Sequence, residues 1–337
     1  RRRHWPGWLA VAVAVPLAAS LWTLPLQLLH FGVVPLYAVP ANLLAAPLLT
    51  PLTLGAMGLG LLALVLPPAL PLLVPPVAWL AGLLLALARM VAGWPMAQWQ
   101  LGKPLPVLVL LLAMALVPWL IPAVPRLWRR WALALLALVA ALHLALLWGD
   151  QLLLVHQQSG DRGRDLLVAR HHGRGALVAT SADGFSCRQA GQLAAGLGLP
   201  GFDWTVLLDP LPSPEPECWR HLGGLVLASG DGSAPLLPGQ RLASEGLEAR
   251  ALGIESRGIA LRVGGHHWLL LPDPQALWSW RDGPAGAPLD GLWLGFRPRP
   301  KEQRWLQRQG IGRVWLSGLP LGSWPGTGSS GWLQAGL

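Results

Sequence analysis

Long uncharged apolar runs dominate the first 150 residues of this 337-residue chain. A helix needs about 20 apolar residues to cross the ~30 Å hydrocarbon core of a bilayer. Tryptophans flank these runs, as expected at the two interfaces of a membrane. The pattern predicts membrane-spanning helices over Trp8–Phe31, Ala69–Ala88, Leu105–Val124 and Trp131–Trp148.

The proline-rich segment after the first run is too long for one span and too short for two. Proline removes a backbone donor and kinks a helix, and non-helical backbone at membrane depth survives only where protein or a water-filled cavity covers it. We therefore expect a broken or re-entrant element near residues 35–51. Asn42 is expected to be buried there, either lining a pore or making an interhelical hydrogen bond. The channel-lining or helix-breaking candidates are Pro35, Pro40, Asn42 and Pro47.

The pattern changes after Asp150 to short apolar runs bounded by Gly, Pro, Asp or Ser, which is typical of strands. Two other segments, Arg188–Leu197 and Lys301–Gln309, have helical patterns. Many strands with a few helices predict an α/β or α+β sandwich. The chain is therefore expected to contain a helical membrane domain, residues 1–150, and a soluble domain, residues 151–337. The predicted strands are Leu152–Val155, Leu166–Ala169, Ala176–Ala179, Val206–Leu208, Leu225–Ala228, Ile259–Val263, Trp268–Leu271, Leu292–Leu294 and Val314–Leu316.

Composition and charge agree with this division. Charged residues make up 12% of the chain and the mean hydropathy is +0.47, which excludes a wholly soluble globular protein and a disordered chain. Residues 1–150 hold eight Lys and Arg but only one acid. Because basic residues beside spans mark the cytoplasmic side, residues after 150 are expected outside the cytoplasm. The basic clusters on the cytoplasmic side are Arg1–Arg3 and Arg126, Arg129 and Arg130.

Two further features concern the start of the chain and its cysteines. The chain begins at Arg1 without an initiator Met, and we expect it to be the C-terminal part of a longer protein. Cys187 and Cys218 both lie in the predicted soluble domain. Two buried thiols are the simpler expectation, and a disulfide is the alternative if this domain faces an oxidising compartment.

The proline-rich segment resembles a known family. It reads His30-Phe31-Gly32, then Pro35-Leu36-Tyr37, then Ala41-Asn42-Leu43-Leu44-Ala45-Ala46-Pro47. This Asn-Leu-Leu core followed by proline is similar to the C-terminal part of the membrane domain of the ComEC family. The resemblance covers most of the chain and is strongest over about residues 8–150. It implies part of a multi-pass channel in the bacterial inner (plasma) membrane that takes up transforming DNA as a single strand.

The resemblance also implies an extracytoplasmic metallo-β-lactamase-like domain after the last span. Such domains bind one or two metals through a His-x-His-x-Asp-His motif, but here Asp209 stands at the first His position and no His follows within reach. Asp273 lacks the preceding Gly of a second motif, and the later His-His pair falls at Phe296-Arg297. We expect Asp209 and Asp273 to be remnants of a lost metal site. The domain is then degenerate, with no catalytic residue, no metal and no other cofactor.

Two basic clusters are candidates for contact with DNA. Basic side chains follow the phosphate backbone, and aromatic side chains stack on the bases of single strands. An ordinary solvated face explains the same residues, because the soluble domain is nearly neutral. The pair His171-His172 is expected in an exposed basic turn rather than as metal ligands. The candidate residues are Arg170, His171, His172, Arg174, Arg304 and Trp305.

Three functions are compatible with these observations. The first is part of a channel for transforming DNA. The second is a membrane-anchored, metal-dependent nuclease with ligands drawn from Asp209, His221, Asp273 and His171. The third is an inactive assembly module. No Gly-rich phosphate loop is present, so transport needs energy from a partner or a gradient. The expected partners are single-stranded DNA, the lipid bilayer, the missing N-terminal part of the protein, a DNA receptor and a cytoplasmic motor.

Overall fold

A computed structural model of the chain describes residues 7–121, 123–159, 162–213, 216–230, 234–252, 257–282, 288–311, 313–317 and 334–336. The predicted cytoplasmic cluster Arg1–Arg3 lies outside the described residues. The chain forms two compact units, Arg1–Val139 and Ala140–Leu337, called the helical unit and the sheet unit below. The division falls inside the last apolar helix, and the strands of the sheet unit begin at Gln151.

Apolar helices form the helical unit, as the long apolar runs predict. Four of the described helices have the length and hydropathy of a membrane span, whereas α4, with 15 residues, is shorter than the others. In this unit α1 packs against α2 and α4, and α2 packs against α3. The helix bounds are α1 Gly7–Phe31, α2 Ala38–Val65, α3 Leu70–Ala92, α4 Pro106–Leu120 and α5 Arg126–Trp148.

The proline-rich segment forms a strand and then one continuous helix, so the predicted re-entrant element is wrong. Pro35 ends the short strand β1, Val33–Pro35, and α2 then runs for 28 residues with two prolines inside it. Pro40 is compatible with this helix because it lies in the first turn, where the backbone N–H has no intrahelical partner. At 1.5 Å per residue, α2 is about 42 Å long, which exceeds the hydrocarbon core.

Twelve described strands of three to ten residues and four short helices follow α5 in the sheet unit. All nine predicted strands have a counterpart, and the two predicted helices correspond to α6 and α9. The strands are β3 Gln151–Ser159, β4 Arg162–His171, β5 Arg174–Ala179, β6 Trp204–Leu207, β7 Val226–Ala228, β8 Arg241–Ser244, β9 Leu247–Ala251, β10 Ile259–Val263, β11 His266–Leu271, β12 Gly291–Leu294, β13 Arg313–Leu316 and β14 Gln334–Gly336. The helices are α6 Gly184–Gly196, α7 Cys218–Leu222, α8 Pro274–Arg281 and α9 Pro300–Arg308.

These strands form two six-stranded mixed sheets. The first has the order β14-β3-β4-β5-β6-β7, in which β5, β6 and β7 are parallel and the other neighbours are antiparallel. The second has the order β13-β12-β11-β10-β9-β8, in which β11, β12 and β13 are parallel. Apart from β14, each sheet is built from one contiguous stretch of the chain.

The two sheets pack face to face, and helices cover both outer faces. Leu167 and Val178 of the first sheet share one core with Leu261 and Trp268 of the second. Helices α6 and α7 pack on the outer face of the first sheet, and α8 and α9 pack on that of the second. The parallel strands β6 and β12 are buried at every position, because both of their faces are covered. An apolar helical part followed by an α/β sandwich is thus confirmed as the layout.

The two cysteines are joined, so the simpler expectation of free thiols is wrong. Cys187 in α6 and Cys218 at the start of α7 form a disulfide across Cα atoms 6.3 Å apart. The bond forms because both helices cover the same face of the first sheet. Local sequence carries no sign of this proximity, since 31 positions separate the two residues.

Candidate functional site

A short antiparallel ribbon fixes the start of α2, where the channel candidates cluster. Strand β1 pairs with β2, Gln98–Gln100. The Tyr37 hydroxyl donates to the Pro95 carbonyl oxygen at 3.0 Å, and the Tyr37 ring meets the Trp94 ring edge-on at 5.1 Å. These contacts hold the beginning of α2 against the segment that follows α3.

The polar residue Asn42 lies on the second turn of α2 and is exposed within the described part of the chain. The expectation that it is buried is therefore wrong. Pro35, Pro40 and Pro47 are also exposed, and no described residue of α2 is buried. The surface that carries Asn42 is consequently open to lipid or to another protein segment.

The two acids expected as remnants of a metal site follow β6 and β11, at the ends where the parallel strands of each sheet finish. Asp273 caps helix α8, and its Oδ1 accepts a hydrogen bond from the Ala276 N–H at 2.8 Å. Asp209 comes two residues after β6. Among the described residues, the one group of three His, Cys, Asp or Glu side chains that could share an ion lies elsewhere, and it includes neither Asp209, His221 nor Asp273. The structure thus gives Asp273 a capping role and does not assemble the proposed nuclease ligands.

A buried carboxylate that the sequence analysis missed joins the two sheets near the same ends of the strands. Asp165 of β4 is fully buried, and its Oδ1 lies 2.5 Å from His156 Nδ1 on β3. Its Oδ2 accepts a hydrogen bond from Trp293 Nε1 of β12 at 2.9 Å, and its backbone N–H donates to Thr180 Oγ1 at 2.8 Å. Asp165 therefore orients the partly exposed His156 ring while linking β4 to the second sheet.

The signal for this pair is the register of one hairpin. His156 and Asp165 face each other directly across β3 and β4, so knowing the turn position is enough to place them together. Their spacing of nine residues matches no hydrolase motif, so sequence motifs do not indicate the pair. Chemically it is a carboxylate–imidazole pair, an arrangement that fixes the orientation of an imidazole ring.

Asp183 has a depressed pKa at the N-terminus of α6. Its Oδ1 accepts a hydrogen bond from the Ser186 N–H at 2.7 Å, and its Oδ2 lies 2.6 Å from a guanidinium nitrogen of Arg164. Burial by itself raises the pKa of this carboxyl. The hydrogen bonds from Ser186 and Phe185 and the charge of Arg164 outweigh that effect, so the pKa lies below its ordinary value.

Replacing Asp183 by alanine should lower the free energy of unfolding of the sheet unit by about 1 kcal/mol at neutral pH. A carboxyl whose folded pKa is depressed stabilises fully above its unfolded pKa of about 4, and this contribution is lost as the pH falls further. Urea unfolding at neutral pH and near pH 3 measures both values. Asp183→Asn keeps the capping acceptor and should retain most of the stability at neutral pH. An equal loss for Asp183→Ala at both pH values would contradict the assignment.

Arg170, the first of the predicted DNA contacts, is buried. Its prediction as a residue that contacts DNA is therefore wrong. Its Nη1 donates to the Leu197 carbonyl oxygen at 3.0 Å, and its Nη2 donates to the Leu146 carbonyl oxygen at 2.9 Å. Burial lowers the pKa of Arg170 to about 10, and the charge of Asp150 partly opposes that shift. Arg170 as a whole residue is 2% exposed. Its guanidinium links the end of α5 to the end of α6, so it does not face a phosphate backbone.

The remaining basic candidates lie in two separate places. Arg174 begins β5, is 52% exposed, and approaches Asp203 at 3.3 Å and Glu245 at 3.8 Å. Arg304 is exposed on α9. Trp305 is half-buried and meets the Trp280 ring edge-on at 5.1 Å. Trp305 thus takes part in packing, and contact with DNA stays a prediction for His171, His172, Arg174, Arg304 and Trp305.

The pair His171-His172 is not a simple exposed turn. His171 is half-buried, and its Nδ1 lies 2.6 Å from Asp150 Oδ1. The rings of His171 and His172 stack with centroids 4.0 Å apart, and His172 also stacks on Trp148 at 5.7 Å. His172 has a φ of 46°, in the left-handed region, at the turn between β4 and β5. These contacts join Trp148, the last residue of α5, and Asp150 to the first sheet.

A family model described as Competence protein matches residues 1–126, which include α1 to α4 and the proline-rich segment. No curated protein and no solved structure matches the chain.

Proposed function

We propose that this chain, whose residues 1–126 belong to the Competence protein family, forms part of an inner-membrane channel for the uptake of single-stranded DNA. The match confirms the family predicted from the Asn-Leu-Leu-x-x-Pro segment. It carries the proposal, because it falls on the apolar helices that would form the conduit. A family role in DNA uptake together with these helices identifies the chain as a competence-related membrane protein.

Several observations support a multi-pass topology with the sheet unit outside the cytoplasm. Four helices precede the basic cluster at the start of α5, and α5 itself has the length of a span. The positive-inside rule then directs the end of α5 away from the cytoplasm. The Cys187–Cys218 disulfide agrees, because such bonds persist in oxidising compartments.

The layer order of the sheet unit supports a metallo-β-lactamase-like domain that has lost its chemistry. A helix-sheet-sheet-helix sandwich is the arrangement that the ComEC resemblance implies. Asp273 is engaged as a helix cap, and among the described residues no three potential ligands meet around it or Asp209. In this proposal the domain is not an enzyme, and it acts as a scaffold beside the path of the DNA.

The partners follow from the same proposal. The channel receives single-stranded DNA from a receptor outside the membrane and passes it to a motor in the cytoplasm. The exposed surface of α2 is the surface for lipid and for the N-terminal part of the same protein. Among the described sequence candidates, His172, Arg174 and Arg304 are exposed and would be available to phosphate groups.

Deleting the gene and restoring it with variants tests the proposal in the source organism. We expect deletion to abolish entry of labelled DNA, and wild type to restore it. Asn42→Leu should not restore it, because the change removes the one polar side chain of the Asn-Leu-Leu segment. Thr53→Leu is the matched control, since Thr53 is also an exposed polar residue on α2, and it should restore uptake. Normal uptake in the deletion strain would contradict the proposal.

A second arm separates the channel from the nuclease alternative. Asp209→Asn and Asp273→Asn remove two potential metal ligands, and asparagine at 273 preserves a good helix cap. If the domain is a scaffold, a double variant with both changes should show normal uptake and normal conversion of incoming DNA to single strands. Loss of strand conversion with normal expression would favour the nuclease instead.

A further inference from the structure

Three potential metal ligands meet at one end of the first sheet, far from the ends of β6 and β11. The described members of this group are Asp150, His171 and His172, and one ligand atom from each lies within 4.8 Å of the others. His171 ends β4, whereas Asp165 lies near its start. Six residues of extended strand separate them by about 20 Å. The group is therefore separate from the edge of the sheets where Asp165, Asp209 and Asp273 lie.

The conformation of the turn brings both imidazoles to the same side. Successive residues of a strand point to opposite faces, so His171 and His172 would diverge if β4 simply continued. His172 instead adopts a φ of 46°, and the rings stack at 4.0 Å. A left-handed φ in a residue other than glycine requires support from its surroundings. Stacking on Trp148 provides such support.

Two glycines in turns of the second sheet pack directly against the side chains of His171 and Asp150. A Cβ at Gly246 would lie 2.2 Å from His171 Nε2, and a Cβ at Gly264 would lie 2.1 Å from Asp150 Oδ2. Both glycines have positive φ, 70° and 58°, in turns of the second sheet. Any larger residue at either position would displace these side chains, so the turns fit closely around them.

We propose that Asp150, His171 and His172 form a binding site for a divalent transition-metal ion, with zinc as the ion that fits the donor set best. Two imidazole nitrogens and one carboxylate oxygen are a common set of protein ligands for zinc. Imidazole also suits copper and nickel, whereas magnesium and calcium prefer oxygen ligands. Three protein ligands leave a fourth position open to water.

The expected role of the ion is structural. Asp150 lies two residues after the end of α5, and the two histidines lie where β4 turns into β5. An ion held by all three would clamp the end of the apolar helix to the first sheet. The exposed His172 gives the ion access from solvent. This inference stands whether or not the chain conducts DNA.

Zinc binding to the full chain in detergent, purified through a tag without histidines, tests the site. After treatment with a chelator, Zn²⁺ is added in competition with a chromogenic chelator, and Co²⁺ is added separately to record its visible absorption bands. We expect one ion per chain. Loss of a residue that only hydrogen-bonds to a metal ligand typically reduces metal affinity 10- to 100-fold. His172→Ala removes a ligand itself, so it should reduce the affinity for Zn²⁺ by about 100-fold or more.

Two further variants keep the result decisive. Asp150→Asn preserves size and should weaken binding by at least about tenfold. His221→Ala removes an exposed histidine elsewhere in the same unit and should leave binding unchanged. Circular dichroism and gel filtration check that each variant is folded. The proposal is overturned if wild type binds neither Zn²⁺ nor Co²⁺, or if folded His172→Ala and Asp150→Asn bind as tightly as wild type.

Discussion

Replacing Asp165 by alanine should destabilise the sheet unit by about 3 kcal/mol. The change leaves the buried Trp293 Nε1 without its acceptor and removes the partner of His156. A buried donor left unsatisfied costs about 1–3 kcal/mol, and breaking a buried charged pair costs about 3–5 kcal/mol. The partial exposure of His156 puts the expected value at the lower end of the second range. Pulse proteolysis of the detergent-solubilised chain in urea measures the loss.

Two variants identify the cause of that loss. Asp165→Asn retains an oxygen that accepts from Trp293, so it should cost less than alanine. Asp282→Ala removes an exposed acid whose described partner is the neighbouring Arg281, and it should have no measurable effect on unfolding. A loss below about 1 kcal/mol for Asp165→Ala would be typical of an unimportant surface change and would contradict the cross-sheet role.

Removing the disulfide should destabilise the sheet unit by about 2–4 kcal/mol. The bond closes a loop across 31 positions, and closing such a loop restricts the unfolded chain. Cys187→Ser and Cys218→Ser should each lower stability by a similar amount, measured by urea unfolding without reductant. The double variant should lose little more than either single variant, because the two sulfurs act as one unit.

The reducing agent dithiothreitol provides the control for this prediction. It should lower the stability of wild type toward that of the double variant and leave the double variant unchanged. Thiol titration of the unfolded, unreduced wild type should find no free thiol. Two titratable thiols in freshly purified protein would show that the bond is absent and would contradict the prediction.

The apolar helices and strands could be predicted from the sequence because their signals are local. A run such as Ala69–Ala88 is uncharged over the length of a span, and short runs such as Ile259–Val263 are flanked by turn residues. Proline was the misleading signal. Pro47 lies inside α2, where neighbouring helices and local adjustments of the backbone accommodate it, so its presence alone does not mark a break.

Most of the side-chain contacts could not be predicted, because they join residues that are remote in sequence. Arg170 is basic and lies beside a turn, which favours exposure, yet its Nη1 and Nη2 donate to the carbonyl groups of Leu197 and Leu146 inside the fold. The partners of Asp165 come from β3 and β12, and the latter is 128 positions away. Register and layer packing decide these contacts, and neither is encoded in the spacing of residues.

The contiguity of the first sheet has a consequence for biosynthesis. Strands β3 to β7 and both cysteines lie within residues 151–228, and the second sheet begins only at Arg241. If the sheet unit is exported, as we propose, Cys187 and Cys218 would reach the oxidising side before β8 to β13 do. On that proposal, the disulfide of the first half would form before the second sheet covers the inner apolar face of the first sheet. Maturation of this unit would then depend on thiol oxidation early in translocation, with late pairing of β14 to β3 closing the edge.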